Sequence, residues 1–185
     1  MSIQVFKPKY RVDEVLKEIK ECLEIGWTGM GFKTEKLEEE WKKYTSFNNA
    51  HFISSNTAGL EIALKVLKDV NKWKEGDEVI TTPLTFVSSN HAILYNNLKP
   101  VFADVDDQLC LDVKSIESKI TTKTKAIMFV GIGGNIGQYN EVKELCNKHN
   151  LKLILDAAHM AGTKANRIFH GVTSTQSHVG WDADV

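Results

Sequence analysis

Proline and cysteine are both scarce in this chain, with three residues of each. Pro8, Pro83 and Pro100 lie far apart, so no proline-rich linker divides the sequence, and neither internal repeats nor low-complexity tracts suggest a domain boundary. Cys22, Cys110 and Cys146 show no CxxC spacing, which excludes a zinc clip or a disulfide framework of the familiar kinds. Neither charge sign dominates: 23 Lys and Arg stand against 24 Asp and Glu, for a formal net charge of −1. No window concentrates either sign, so there is no footprint for a nucleic-acid polymer or a membrane surface. No apolar run approaches the roughly 18 residues that a bilayer demands. The opening MSIQVFKPKYRVDE lacks the basic-then-apolar order of a signal peptide, and a cytoplasmic protein is expected. The six histidines fall in no HExxH or similar spacing, so no metal is expected.

What is present is an ordinary globular composition. At 185 residues and 42% hydrophobic, the chain can bury one substantial core, as one domain or a piece of one. Apolar positions recur at helical intervals in RVDEVLKEIKECLEIG and again in TEKLEEEWKKY, predicting two amphipathic helices within 11–46. The connector GWTGMGF between them carries three glycines and breaks the helix. From 50 to 160 the pattern changes to short apolar runs alternating with helical segments. AHFIS, DEVITT, KPVFADV, KAIMFV and LKLILD read as strands, with continuous rather than alternating apolar character. Such strands predict the α/β class, a mostly parallel sheet flanked by helices on both faces. Residues 161–185 are small and polar and read as a loop region, ending as DADV takes on the look of a strand.

The run LKLILDAAHMAG stops on Asp156, at the carboxyl end of a strand, where α/β sheets collect ligands. A dinucleotide site would explain an acid there. GIGGNIG follows the preceding strand, but a GxGxxG motif counted from Gly131 needs glycine where Ile136 stands, and the helix starts too late to meet a phosphate. A second reading begins at SSNT, Ser54 to Thr57, where capping side chains and the small pair Ala58-Gly59 open a helix. That stretch is either a helix cap or a cradle for a phosphate on exposed amides and the helix dipole. In DEVITTPLTF, Phe86 sits just past another strand end, as core packing or as a platform for a flat ring. Phosphate cradle, aromatic and lone acid together trace the outline of pyridoxal phosphate, with its ester at one end, planar ring in the middle and basic nitrogen at the other.

At these residues the sequence resembles the sugar aminotransferases of the DegT family, within the type I fold of pyridoxal-phosphate enzymes. The resemblance runs through GWTGMG, SNTAGLEIALKVL, GDEVITTPLTFVSSNHAILYNNLKPVFADVD, TKAIMFVGIGGN and LILDAAHMAGT, in order and spacing. It implies a large-domain fold, the cofactor pyridoxal 5′-phosphate, and amino transfer, usually from glutamate, to the keto group of a nucleotide-linked sugar, as in amino-sugar and surface-polysaccharide biosynthesis. It also implies a homodimer. Residue by residue, it puts the cofactor phosphate at Thr57 and Ala58, the ring-stacking aromatic at Phe86, the partner of the ring nitrogen at Asp156, and His159 beside the ring near its phenolic oxygen. Trp27, Thr28 and Gly29 of GWTGMG, together with GIGGN, match segments close to the sugar.

The family's lysine that binds the cofactor aldehyde follows the strand begun by DADV, and neither Lys152 nor Lys164 sits in its motif. The chain is therefore expected to be the N-terminal part of the large domain, without that lysine and without the smaller C-terminal domain. A non-catalytic remnant, or a sugar dehydratase of the same family with histidine for lysine, are the alternatives.

Overall fold

The computed structural model describes residues 8–169, 172–178 and 183; for 165–169 and 172–177 the backbone alone is described. Helix α1 (Val12–Ile25) ends on Gly26, whose left-handed backbone returns its amide to the Cys22 and Leu23 carbonyls. Helix α2 (Phe32–Thr45) follows the glycine connector and is tied back to α1 by Lys33, which bonds Glu18 and Glu21. The apolar stripe expected on α1 exists, but Val12, Val15, Leu16, Ile19 and Leu23 are all exposed.

The rest of the chain alternates helix and strand: α3 (Asn56–Val70), β1 (Glu78–Thr81), α4 (Val87–Tyr95), β2 (Lys99–Phe102), α5 (Val113–Lys119), β3 (Thr124–Val130), α6 (Tyr139–His149) and β4 (Lys152–Asp156). The strands form one sheet in the order β2-β1-β3-β4, every neighbour parallel. Successive β3 side chains feed opposite layers, which is why KAIMFV reads as an unbroken apolar run. Ala126 and Met128 share one core cluster with Leu64 and Leu67 of α3 and Ile93 of α4, whereas Ile127 and Phe129 share the other with Ile116 of α5 and Val142 of α6. After β2 the chain crosses back over β1 to lay down β3, so the connections leaving β1 and β3 diverge. At such a switch point the carboxyl ends of the strands open a crevice.

Two expectations are corrected. AHFIS forms no strand: 50–54 joins no ladder, and the Phe52 amide donates to Glu38 Oε1 of α2 at 2.7 Å. A strand needs a neighbour for its amides and carbonyls, and this stretch reaches neither sheet edge. The second correction concerns 161–185, which is not simply loop. Lys164–Phe169 (β5) and Val172–His178 (β6) pair antiparallel, with a bulge between Asn166 and Ile168. Neither strand has the continuous apolar run that marks the sheet strands, so the polar sequence disguised the pair. Its end is anchored by His178, 7% exposed, whose ring meets Trp41, Tyr44 and Phe47 edge-on at centroid distances of 5.8 Å. The expected strand at DADV lies outside the described residues apart from Ala183.

Candidate active site

Asp156 ends β4 beside the switch point and is 5% exposed. Burying a carboxylate is costly unless donors replace its water, and three do. Asn56 Nδ2, in the first turn of α3, donates to Oδ1 at 2.9 Å; the Ala158 amide approaches the same oxygen at 3.3 Å; Ser89 Oγ of α4 donates to Oδ2 at 2.7 Å. The carboxylate thus joins the sheet to two helix beginnings.

Asp156 lines a small cleft with Phe86, Gly131, Ala158 and His159. Phe86 is the residue preceding α4 and is 75% exposed, so it is not the core residue that an aromatic at this position could have been. His159 accepts a 3.1 Å hydrogen bond at Nδ1 from the Gly133 amide, which leaves Nε2 to carry the ring proton. The GIGGN turn is clasped to the segment after β4 by that bond, by the Gly131 amide on the Asp156 carbonyl at 3.2 Å, and by Thr163 Oγ1 on the Gly134 carbonyl at 3.3 Å. A side chain at Gly131 would displace Met160, because a Cβ there would fall 1.9 Å from Met160 Sδ.

The first turn of α3 brings Thr57 and Ala58 to the same neighbourhood, next to Asn56. Ser55 caps this helix, and its Oγ accepts from the Ala58 amide at 3.2 Å. One of the two amides expected to take a phosphate therefore has an internal partner, and Thr57 is the stronger of the two positions. Trp27, Thr28 and Gly29 are not gathered with these residues. They line a groove with Ile19, Cys22 and Lys33 along α1, and Trp27 Nε1 closes the connector on the Met30 carbonyl at 2.7 Å.

The residues at the cleft suit a flat, protonated heteroaromatic ring with an anionic tail: a buried carboxylate surrounded by donors, an exposed aromatic beside it, and a capped helix start adjacent. Asn56 and Ser89 were missed in the sequence as partners of Asp156. Asn56 showed only as one of several capping residues, and Ser89 carried no signal. Among the described residues there is no grouping of His, Cys, Asp and Glu able to hold a metal ion, and no helix is long and apolar enough to cross a membrane.

Comparison with known proteins bears on this geometry. Residues 9–178 match the model of the DegT/DnrJ/EryC1/StrS aminotransferase family. The spore coat polysaccharide biosynthesis protein SpsC of Bacillus subtilis is 36% identical over 151 residues, 81% of this chain and 38% of that protein. Among solved structures, Spr1654 from Streptococcus pneumoniae in its PLP form is similar at a TM-score of 0.80 and 27% identity, over 90% of this chain and 45% of that one. Helicobacter pylori PseC, an aminotransferase involved in the biosynthesis of pseudoaminic acid, matches at a TM-score of 0.74 and 26% identity, over 82% of this chain and 40% of that one. The chain spans less than half the length of each.

Proposed function

Because the chain belongs to the DegT/DnrJ/EryC1/StrS aminotransferase family, we propose that the whole protein is a pyridoxal-phosphate-dependent aminotransferase of amino-sugar biosynthesis. Its acceptor is the keto group of a nucleotide-linked sugar, its amino donor is glutamate, and it works as a homodimer in the cytoplasm. The family match and the sugar-related neighbours support the reaction class, and the PLP form of the pneumococcal neighbour supports the cofactor. The observation that carries the reading is Asp156, a buried carboxylate that three donors hold at the wall of a cleft shared with Phe86 and His159.

Bound pyridoxal phosphate supplies an electron sink for loss of a proton from the substrate carbon. Asp156 keeps the ring nitrogen protonated, since opposite charges in contact away from water stabilise the ion pair. Phe86 would offer a flat apolar face to the ring, and His159, whose Nε2 is left to donate, would meet its phenolic oxygen. The helix dipole and the start of α3 would take the phosphate, at Thr57 before Ala58, whose amide is already bonded to Ser55. Trp27, Thr28 and Gly29, lying apart from this cleft, form the sugar side.

Pyridoxamine 5′-phosphate tests the site without any need for a lysine. Calorimetric titration should show binding that weakens roughly tenfold or more in Asp156→Ala, the loss expected for a charge-assisted hydrogen bond. Equal affinity for the two proteins would overturn the assignment of Asp156. For the whole protein, glutamate-dependent gain of an amino group by a nucleotide-linked keto sugar, read by mass spectrometry, tests the reaction.

A further inference from the structure

Every hydrogen bond that the described residues make with the Asp156 side chain comes from a donor: Asn56 Nδ2, the Ala158 amide and Ser89 Oγ. An ionised carboxylate has lone pairs only, so each neighbour has to bring a proton. Ser89 has one hydroxyl proton and two claims on it, Asp156 Oδ2 at 2.7 Å and the Phe86 carbonyl at 3.3 Å. The shorter contact to a charged acceptor wins. Ser89 Oγ also lies 2.7 Å from Thr85 Oγ1, where distance leaves the donor open. Once the Ser89 proton is committed to Asp156, the direction is fixed: Thr85 donates and Ser89 accepts. A hydroxyl that accepts a bond donates its own more strongly, so Thr85 sharpens the hold on the carboxylate.

A carboxylate turns easily about its last torsion, and one bond to each oxygen from opposite sides stops it. Asn56 provides one from α3 and Ser89 the other from α4. We infer that Ser89, backed by Thr85, is the positioning pair that keeps Asp156 turned towards a heteroaromatic ring nitrogen in the cleft. Thr85 precedes Phe86 in the chain, so the aromatic and the clamp on the acid are carried by the same turn. This rests on the reading of Asp156 as the partner of that nitrogen.

The test uses two probes, pyridoxamine 5′-phosphate and its 1-deaza analogue, which has C–H in place of the ring nitrogen. The full chain and its Ser89→Ala, Ser89→Thr and Thr85→Val variants are titrated with each. The unaltered protein should prefer the nitrogen-bearing probe. Ser89→Ala should shrink that preference roughly tenfold, about the worth of one hydrogen bond to a charged group, with affinity for the deaza probe unchanged. Ser89→Thr should restore the preference, and Thr85→Val should lose part of it. A purely structural role for Ser89 would weaken both probes alike, and that result, or an undiminished preference in Ser89→Ala, overturns the inference. Absence of any preference in the unaltered protein overturns the ring-nitrogen reading itself, and this one with it. Should circular dichroism show Ser89→Ala unfolded, Thr85→Val decides: a reduced preference supports the pair, and a full one refutes it.

Discussion

Asn56 and Asp156 stand 100 residues apart in the chain and are joined by a 2.9 Å hydrogen bond. That bond ties the first turn of α3 to the end of β4, so the helix start expected to bind an anion and the acid expected to face a cation belong to one rigid unit. A change at either residue acts on both stability and the cleft.

Asn56→Ala should lower stability by about 1–2 kcal/mol, because Asp156 Oδ1 then keeps only the long bond from the Ala158 amide. Asn56→Asp should cost more, since it sets a second carboxylate where a donor stood and brings two like charges to hydrogen-bond distance. Urea unfolding at pH 7 should rank the midpoints as unaltered protein, then Asn56→Ala, then Asn56→Asp.

Gly131→Ala should overpack the site. Its Cβ would lie 1.9 Å from Sδ and 2.5 Å from Cγ of Met160, whose side chain is 0% exposed and has little room to retreat. A loss of about 1–3 kcal/mol is expected, with weaker pyridoxamine phosphate binding because Gly131 lines the cleft. Shortening Met160 removes the clash, so the Gly131→Ala, Met160→Ala pair should lose less stability than the two single changes added together, a coupling that a double-mutant cycle of unfolding energies would measure.

Glu78 links stability to acid pH. It opens β1 at 6% exposure and accepts from Thr121 Oγ1 at 2.6 Å and Lys99 Nζ at 3.0 Å. The Thr121 bond first, then Lys99, hold its carboxyl below the ordinary glutamate value. A lowered value in the folded state means that the ionised form stabilises the fold above the ordinary value, about 4.3. That stability fades as the pH falls through the folded value. Glu78→Gln should be the less stable protein at pH 7, and the gap should narrow as the pH falls below the ordinary glutamate value and close once it passes the lowered folded value. Denaturant melts across that range check it.

Cys110 should resist alkylation in the native state. It is buried, and burial above all, then the charge of Asp106, raises its thiol above the ordinary range, so little reactive thiolate exists at pH 8. Half-exposed Cys22 should take up iodoacetamide first, on the strength of access. Peptide mass spectrometry should find all three cysteines modified once the protein is unfolded.

The sheet was legible because its strands are short, apolar throughout and separated by helical periods: KAIMFV and LKLILD could hardly serve any other layer. Asp156 was legible as the polar end of such a run, and Phe86 by its place just past another. The strand assigned to AHFIS failed because the sequence shows strand propensity but not whether a neighbour exists. The β5–β6 ribbon escaped notice because neither of its segments carries the apolar run by which the sheet strands were read.

From composition and periodicity alone came the class of fold, the order of its parts and the acid at a strand's end, since these depend on neighbours a few residues away. Which side chains would grip that acid was decided only when the crossover from β2 to β3 placed β4 beside the starts of α3 and α4. Ser89 and Asn56 are ordinary residues in the linear chain; their roles arise from separations of 67 and 100 residues that packing alone closes, and local propensity carries no record of such a meeting.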